Sequence, residues 1–181
     1  EARNVGIKES IGEYILFLDS DDTLKSEYAL EDLLPYAQNE YDVVFGHMNE
    51  RIDNKYIPEE KEYVDTGEKM ILLLLRTGKL TVTVWNKIYR AEYIKKRMLY
   101  FVEGYVHEDN EWTGKTVAAA SKCILTKVEF YMHHIVENSI ITNNSEKNRA
   151  YKTKSKIVLA NYACNEIKKY TSHPEALHEL Y

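Results

Sequence analysis

The feature that most constrains the fold is a short apolar run at residues 14–18 that ends directly in a cluster of acids. The cluster comprises Asp19, Asp21 and Asp22. Aromatic and β-favouring residues in a run of this length are typical of a buried strand. Open α/β sheets bind their ligands at the carboxyl ends of the strands. We therefore expect a sheet that carries these acids at its ligand-binding edge.

The segments around this run alternate between helix and strand patterns. Residues 2–11 place apolar side chains on one face of a helix that Gly12 ends. Residues 27–38 predict a second helix, whose inward side chains would be Tyr28, Leu30, Leu33, Leu34 and Ala37. A second strand is predicted at 41–46. Because strand, helix, strand is the repeating unit of a parallel sheet, the chain is predicted to be α/β.

The rest of the chain continues this pattern. We expect an exposed loop or hairpin over 49–66, helices over 67–76 and 108–120, a short strand or extended segment over 81–85, strands within 122–126 and 128–134, and a C-terminal helix at about 145–170. Neither an internal repeat nor a low-complexity segment is present. We predict that residues 1–181 form a single domain.

Composition excludes several classes of function. The net charge of −5 gives no electrostatic footprint for nucleic acid, so we expect no nucleic-acid partner. The longest strongly apolar stretch, 70–75, is far short of the roughly 20 residues of a membrane-spanning helix. Neither cysteine has metal-ligand spacing. We expect a cytoplasmic protein, either free or held peripherally at the inner face of the membrane.

The acid cluster has three interpretations. It could be a turn whose side chains cap a helix. It could hold a hard divalent cation, because carboxylates this close repel one another unless a cation neutralises them. The pattern of apolar residues followed by Asp-x-Asp-x-Thr-Leu also resembles the first motif of haloacid-dehalogenase-type phosphatases. In such an enzyme Asp19 would be the nucleophile and Asp21 the general acid, but Asp22 replaces the glycine usual in that motif.

A longer match favours another family. The segment ARNVGIKESIGEYILFLDSDD resembles the central part of family 2 glycosyltransferases, the inverting enzymes with the GT-A fold. Three further blocks resemble that family in the same order: VWNKIYR at 84–90, FVEGYVHEDNEW at 101–112 and FYMHHIVENSIIT at 130–142. Ordered blocks are far more specific than any one motif. The resemblance implies the C-terminal part of a GT-A fold, a mixed sheet flanked by helices.

The resemblance also implies a donor and a cofactor. It indicates a metal-dependent enzyme that uses a nucleotide-diphosphate sugar, a UDP-sugar in particular, with Mn²⁺ or Mg²⁺. Asp21 is the leading metal ligand and Asp22 the next, while a histidine near His133 ligates the metal in some members. Each Asp could instead cap a helix, and either late histidine could be ordinary strand polarity. The residues implied for the donor site are Arg3, Asn4, Asp19, Asp21 and His134.

For the acceptor side, the resemblance points to the start of the predicted helix at 108–120. Asp109 would be the general base, kept ionised by the helix dipole, and Glu108 an orienting or acceptor-site neighbour. Both could instead simply cap that helix. Trp85 would be a sugar-stacking platform or a core residue. Lys87 would lie on the acceptor or phosphate side, or be a surface lysine.

The chain departs from the family in what precedes Arg3. Family members carry there two strands and a uracil-binding turn, which we expect to be missing, so that an exposed sheet edge could pair with a second copy. Three hypotheses stay open. The chain could transfer sugar to a glycan or lipid-linked glycan in cell-surface polysaccharide synthesis, could be a phosphatase, or could be a non-catalytic binding domain. Sugar and acceptor cannot be read from the sequence.

Overall fold

A computed structural model describes residues 1–47, 62–77, 81–134 and 146–170. Its helices are α1 (Ala2–Glu9), α2 (Leu34–Ala37), α3 (Gly67–Arg76), α4 (Ala91–Lys96), α5 (Glu108–Ala118) and α6 (Glu146–Ile167). Its strands are β1 (Tyr14–Leu16), β2 (Thr23–Leu24), β3 (Val43–Phe45), β4 (Tyr63–Asp65), β5 (Lys87–Arg90), β6 (Cys123–Leu125) and β7 (Tyr131–Met132). Within these residues, no helix has both the length and the apolar character that a membrane crossing needs.

The main sheet has five strands in the order β1-β5-β3-β6-β4. Strand β5 runs antiparallel to both neighbours, with Ile15 opposite Tyr89 and Val43 opposite the same Tyr89. Strands β3 and β6 are parallel, and β4 is antiparallel to β6. Strands β1 and β3 therefore point the same way, as the strand-helix-strand pattern predicts, but β5 lies between them. The predicted mixed sheet flanked by helices is confirmed.

The interior strand β5 was missed by the sequence pattern. The predicted short strand or extended segment at 81–85 precedes it, and the ladder begins only at Lys87. A lysine normally marks exposed chain, whereas here its side chain is wholly buried. Because of this lysine, the sequence of a buried strand resembles that of exposed chain.

The helix predicted over 27–38 is present only from residue 31 onward, and not as one continuous α-helix. Turns precede a 3₁₀ turn at Glu31–Leu33, and the single turn of α2 follows it. Pro35 lies in the first turn of α2, because a proline further inside a helix would clash with a carbonyl of the preceding turn. Ala29 and Leu33 are buried, whereas three of the residues predicted to point inward are more than half exposed: Tyr28, Leu30 and Leu34.

Other predicted elements agree with the structure apart from their ends. Helices α1, α3, α5 and α6 and strands β1, β3 and β6 lie where the pattern places them. The polar segment 49–66 contains edge strand β4 at its end, and residues 48–61 lie outside the described part of the chain. Of the predicted strand at 128–134 only the two residues of β7 pair, with β2. This small second sheet was not predicted.

An aromatic cluster on one side of the sheet packs against α5. The Trp112 ring stacks on Phe101 with centroids 4.4 Å apart and meets Phe17 edge-on at 5.3 Å. The indole N–H of Trp112 donates to the Leu99 carbonyl at 2.9 Å. Since Phe17 follows β1 and Trp112 lies one turn into α5, this packing brings the start of α5 to the carboxyl end of β1.

Candidate active site

Arg3 joins the acids from both ends of the candidate site. Its Nη2 lies 2.8 Å from Asp19 Oδ1, just beyond β1. Its Nη1 lies 2.8 Å from Glu108 Oε1 and 2.5 Å from Asp109 Oδ1, in the first turn of α5. The guanidinium also lies over the Phe101 ring at 5.5 Å. A site predicted as separate donor and acceptor residues is therefore one ion network, with Arg3 at its centre.

Asp109 has the electrostatics of a base that works near neutral pH. Burial raises its pKa, Arg3 lowers it, and the negative charges of Glu108 and Asp19 raise it, so that the pKa stands at about 6. Arg3 binds only Oδ1 of Asp109. The other oxygen, Oδ2, has no hydrogen-bond partner within the described part of the chain. A carboxylate in this state can accept a proton from a hydroxyl placed beside it.

The backbone turns sharply where these acids begin. His107, at the N-terminal cap of α5, has a left-handed conformation with φ of 64°. For a residue with a side chain such a conformation costs on the order of 1–3 kcal/mol and is concentrated at functional sites. The turn sets Glu108 and Asp109 at the start of the helix, where its dipole favours negative charge. Glu108 and Asp109 therefore open the helix without capping it, because the cap residue is His107 and no side chain among the described residues forms a cap hydrogen bond there.

Asn4, implied for the donor site, has its amide engaged inside the protein. Its Nδ2 donates to the Phe101 carbonyl and to Glu103 Oε1, both at 3.0 Å, and its Oδ1 accepts the Phe101 N–H at 2.8 Å. Asn4 is buried. Its observed contacts fix the segment whose Phe101 ring lies beneath Arg3.

A second cluster surrounds Asp22, whose side chain is wholly buried. Its Oδ2 accepts the Tyr131 hydroxyl at 2.7 Å, its Oδ1 accepts the His134 N–H at 2.8 Å, and His133 Nδ1 lies 3.1 Å away. Burial by itself would raise the pKa of Asp22, but these hydrogen bonds outweigh it and hold the pKa below its usual value. Asp22 therefore anchors the segment after β7 that contains both histidines.

Trp85 forms a stack with this cluster. Its ring lies 4.5 Å from that of Tyr131 and 5.3 Å from that of His133, with interplanar angles of 19° and 15°. Trp85 is only 7% exposed. The tryptophan thus packs in the core and at the same time supports the two rings that face Asp22.

Lys87 lies beneath the site and out of solvent. Its ammonium donates to the carbonyls of Thr81 and Thr83 at 3.0 and 2.6 Å and to Asn86 Oδ1 at 2.6 Å. Burial lowers its pKa to about 7, against the opposing charge of Asp109. These hydrogen bonds from Lys87 fix the position of the chain before β5. A role for Lys87 on the acceptor or phosphate side stays a prediction.

The acids and histidines supply only part of a site for a divalent cation, so a bound substrate would have to supply the remaining ligands. Among the described residues no three His, Cys, Asp or Glu side chains come together as a metal-binding group. Asp22 has its oxygens engaged, whereas Asp21 is exposed and His133 keeps its second ring nitrogen free of Asp22. Mg²⁺ is commonly held by one or two carboxylates together with substrate phosphates. Asp21 and His133 stay the predicted ligands of such a site.

The structure thus sorts the predicted residues into two neighbouring groups. Arg3, Asp19, Glu108 and Asp109 form the ion network, and Asp22, His133, His134 and Trp85 meet around Tyr131. His134 also places Nε2 3.0 Å from Thr23 Oγ1. Tyr131 was missed by the sequence reasoning, although it lies two positions before His133 and alternate residues of a strand share a face.

Comparison with known proteins identifies the family. The Glycosyl transferase family 2 model matches residues 1–98. The chain is 28% identical to the uncharacterized glycosyltransferase YibD of Escherichia coli K12, over 82% of this chain and 45% of that protein. It is also 28% identical to the poly(ribitol-phosphate) beta-N-acetylglucosaminyltransferase TarP of Staphylococcus aureus, over 88% of this chain and 50% of that protein. The chain spans about half the length of the curated relatives it matches.

Solved structures show the same fold. A crystal structure of S. aureus TarS 1–349 in complex with UDP-GlcNAc matches 98% of this chain and 50% of that chain, with a TM-score of 0.72 and 22% identity. The corresponding UDP complex matches with a TM-score of 0.69. The family match covers more than half of the chain and includes both Arg3 and the acid cluster. The chain belongs to glycosyl transferase family 2.

Proposed function

We propose that this chain forms the catalytic part of an inverting glycosyltransferase. It would move a sugar from a UDP-sugar to a hydroxyl of a glycan, or of a lipid-linked glycan, in cell-surface polysaccharide synthesis. Family membership and the relatives that act on poly(ribitol-phosphate) support this proposal. The observation that carries it is Asp109, a carboxylate with a pKa near 6 that Arg3 links to Asp19 at the carboxyl end of β1.

In the proposed reaction Asp109 acts as the general base. Its Oδ2 accepts the proton of the acceptor hydroxyl while the hydroxyl oxygen attacks the anomeric carbon of the donor. The bond from that carbon to the diphosphate breaks, and UDP leaves with the electron pair. Because attack and departure occur on opposite faces of the sugar, the configuration inverts. Arg3 holds Oδ1 and leaves Oδ2 open to the acceptor.

On the donor side, the residues around Asp19 and Asp21 bind and orient the nucleotide sugar. Asp21 and His133 are the proposed ligands of a Mn²⁺ or Mg²⁺ ion, which when bound stabilises the negative charge on the leaving diphosphate. Asp22 orients His133 through Nδ1. Glu108 shares Arg3 with Asp109 and adds negative charge beside the base. Association of two copies through an exposed sheet edge stays a prediction.

The test begins with binding of UDP by the full gene product that contains this chain. Calorimetric titration with and without Mn²⁺ is run on the wild type and on Asp21→Asn. The matched control is Asp32→Asn, an acid in the 3₁₀ turn outside both residue groups. We expect metal-dependent binding that Asp21→Asn loses and Asp32→Asn keeps. Absence of UDP binding by the wild type under both conditions would contradict the proposed donor site.

Turnover is tested next, with UDP-GlcNAc as the first donor because the structurally similar TarS binds it. Asp109→Asn should bind UDP as the wild type does but lose activity by about 10²–10⁴-fold, the usual effect of removing a general base. Glu111→Gln, two positions further along α5 in an ion pair with Lys115, provides the control for a change in helix charge. If the wild type binds UDP without transferring sugar to any glycan, the chain is a binding domain, and the catalytic proposal fails.

A further inference from the structure

We propose that Tyr131 is a positioning residue that holds the Asp19-to-Asp22 turn in its donor-binding shape. This inference rests on the proposed function, because it assigns to Tyr131 the task of presenting the acid cluster to a nucleotide sugar. The tyrosine lies in the family-like block at 130–142, but the sequence assigned it no role at the site. It lies on the far strand of the small β2-β7 sheet, more than a hundred positions from the turn.

The hydroxyl of Tyr131 joins the two ends of the turn. It accepts the Asp19 backbone N–H at 3.1 Å and donates to Asp22 Oδ2 at 2.7 Å. The turn is also closed by the Asp22 N–H, which donates to the Asp19 carbonyl at 3.1 Å. Asp21 lies between these fixed points and is exposed. One buried phenol therefore sets the position of the acid that is proposed to meet the donor.

The ring of Tyr131 is itself held on several sides. It is 8% exposed, stacks on Trp85 and meets Phe130 edge-on with centroids 6.5 Å apart. Its backbone pairs with Leu24 in the β2-β7 ladder, directly after the turn. A hydroxyl on so constrained a ring has little freedom to move away from Asp19 and Asp22. This rigidity separates a positioning group from a hydroxyl that merely finds a nearby acceptor.

Loss of this hydroxyl has a specific structural consequence. In Tyr131→Phe the ring still stacks on Trp85, but Asp22 Oδ2 is left buried without that donor and the Asp19 N–H without that acceptor. Unpaired buried polar groups are unfavourable, so the turn should loosen to recover partners in water. Asp21 would then occupy many positions instead of one. The effect should fall on donor binding more than on the chemical step, since Asp109 lies in the other group of residues.

The experiment compares Tyr131→Phe with Tyr93→Phe in the full gene product. Tyr93 is a matched control, because it is also buried and its hydroxyl also donates a hydrogen bond, to the Thr116 carbonyl at 2.5 Å, away from the site. Amide hydrogen exchange of the peptide covering 17–24 is measured without ligand, and KM for the donor and kcat are measured separately. For Tyr131→Phe we expect about tenfold faster exchange and about tenfold higher donor KM with kcat nearly unchanged, the size expected from one lost hydrogen bond.

Each outcome decides the matter. Tyr93→Phe should lose stability without changing exchange at 17–24 or the donor KM. If Tyr131→Phe behaves in the same way as Tyr93→Phe, the positioning role is refuted. If the wild type binds no UDP, the proposed function fails, yet hydrogen exchange still shows whether Tyr131 holds the turn. If kcat falls and KM does not, Tyr131 acts on the chemical step and the inference is wrong as stated.

Discussion

Replacing Arg3 by glutamine removes a positive charge that lies 2.5 Å from Asp109 and 2.8 Å from Glu108 and Asp19. In the wild type, burial and the neighbouring acids raise the pKa of Asp109 and the charge of Arg3 lowers it. The resulting pKa is about 6. Without it, the factors that raise the pKa act unopposed. The variant should therefore need a higher pH to ionise its base.

The size of the effect follows from the geometry. An arginine in contact with a carboxylate lowers its pKa by about 1–3 units. Because Arg3 is 25% and Asp109 21% exposed, water screens part of the interaction, and we take the lower part of that range. The pKa of Asp109 should then rise to about 7–8 in Arg3→Gln. At pH 7 the ionised fraction would fall from about nine tenths to between about a half and a tenth, so kcat should fall about 2–10-fold.

The assay is kcat against pH at saturating donor, so that weaker donor binding does not obscure the result. The acid limb of the profile should move to higher pH by about 1–2 units, and activity should recover partly above pH 8. Arg3→Lys keeps the charge and should move the limb much less. Arg90→Gln is the matched control: Arg90 lies 2.5 Å from Asp42 at the other end of β5, and its loss should lower stability without moving the profile. An acid limb that stays in place in Arg3→Gln would refute the reasoning.

Three further predictions concern stability, each measured by urea unfolding. The pKa of Asp109 is raised from 3.8 to about 6, so ionisation of this carboxyl destabilises the fold as the pH rises between those two values. Asp109→Asn should therefore be more stable than the wild type at pH 8, by up to about 3 kcal/mol, and should show no gain at pH 4. A Cβ on Gly67 would lie 1.7 Å from the Val117 carbonyl oxygen, so Gly67→Ala should lower the free energy of unfolding by at least about 2 kcal/mol. Gly6 has open space around it in α1, so Gly6→Ala should raise the free energy of unfolding by about 0.5–1 kcal/mol. Equal effects of the two substitutions would contradict the observed packing. Burial lowers the pKa of Lys87 to about 7, so wild-type stability relative to Lys87→Met should rise between pH 7 and 10, and a constant difference would show that the ammonium is not desolvated.

The sequence predicted best those features that depend on local pattern. Helix α3 carries an uninterrupted apolar face, and its predicted and observed bounds coincide. The acids at 108 and 109 open α5 as expected because a helix start favours negative charge. The strand before Asp19 lies within the predicted apolar run 14–18, although it ends at Leu16, two residues before that run does. In each case the residues that determine the structural feature are neighbours in the sequence.

The features that the sequence concealed depend on distant partners. Asp22 and His133 lie 111 positions apart, and nothing in their spacing shows that one holds the other. Lys87 resembles a surface residue until the carbonyls that surround its ammonium are known. Asn4 matches a donor-site motif, yet its amide is engaged by the backbone of Phe101. Such pairings come from the order of strands in the sheet, which local patterns do not determine.

The ion network around Arg3 also bears on how the protein folds. Arg3 and Asp109 are separated by 106 positions, so the chain must close a very long loop before they can meet. Contacts of that separation slow folding, because chain entropy is lost before the contact contributes. The network should therefore form late, after α5 has docked on the sheet. A chain that has built its core but not yet closed this network would have its secondary structure in place and still lack a catalytic centre.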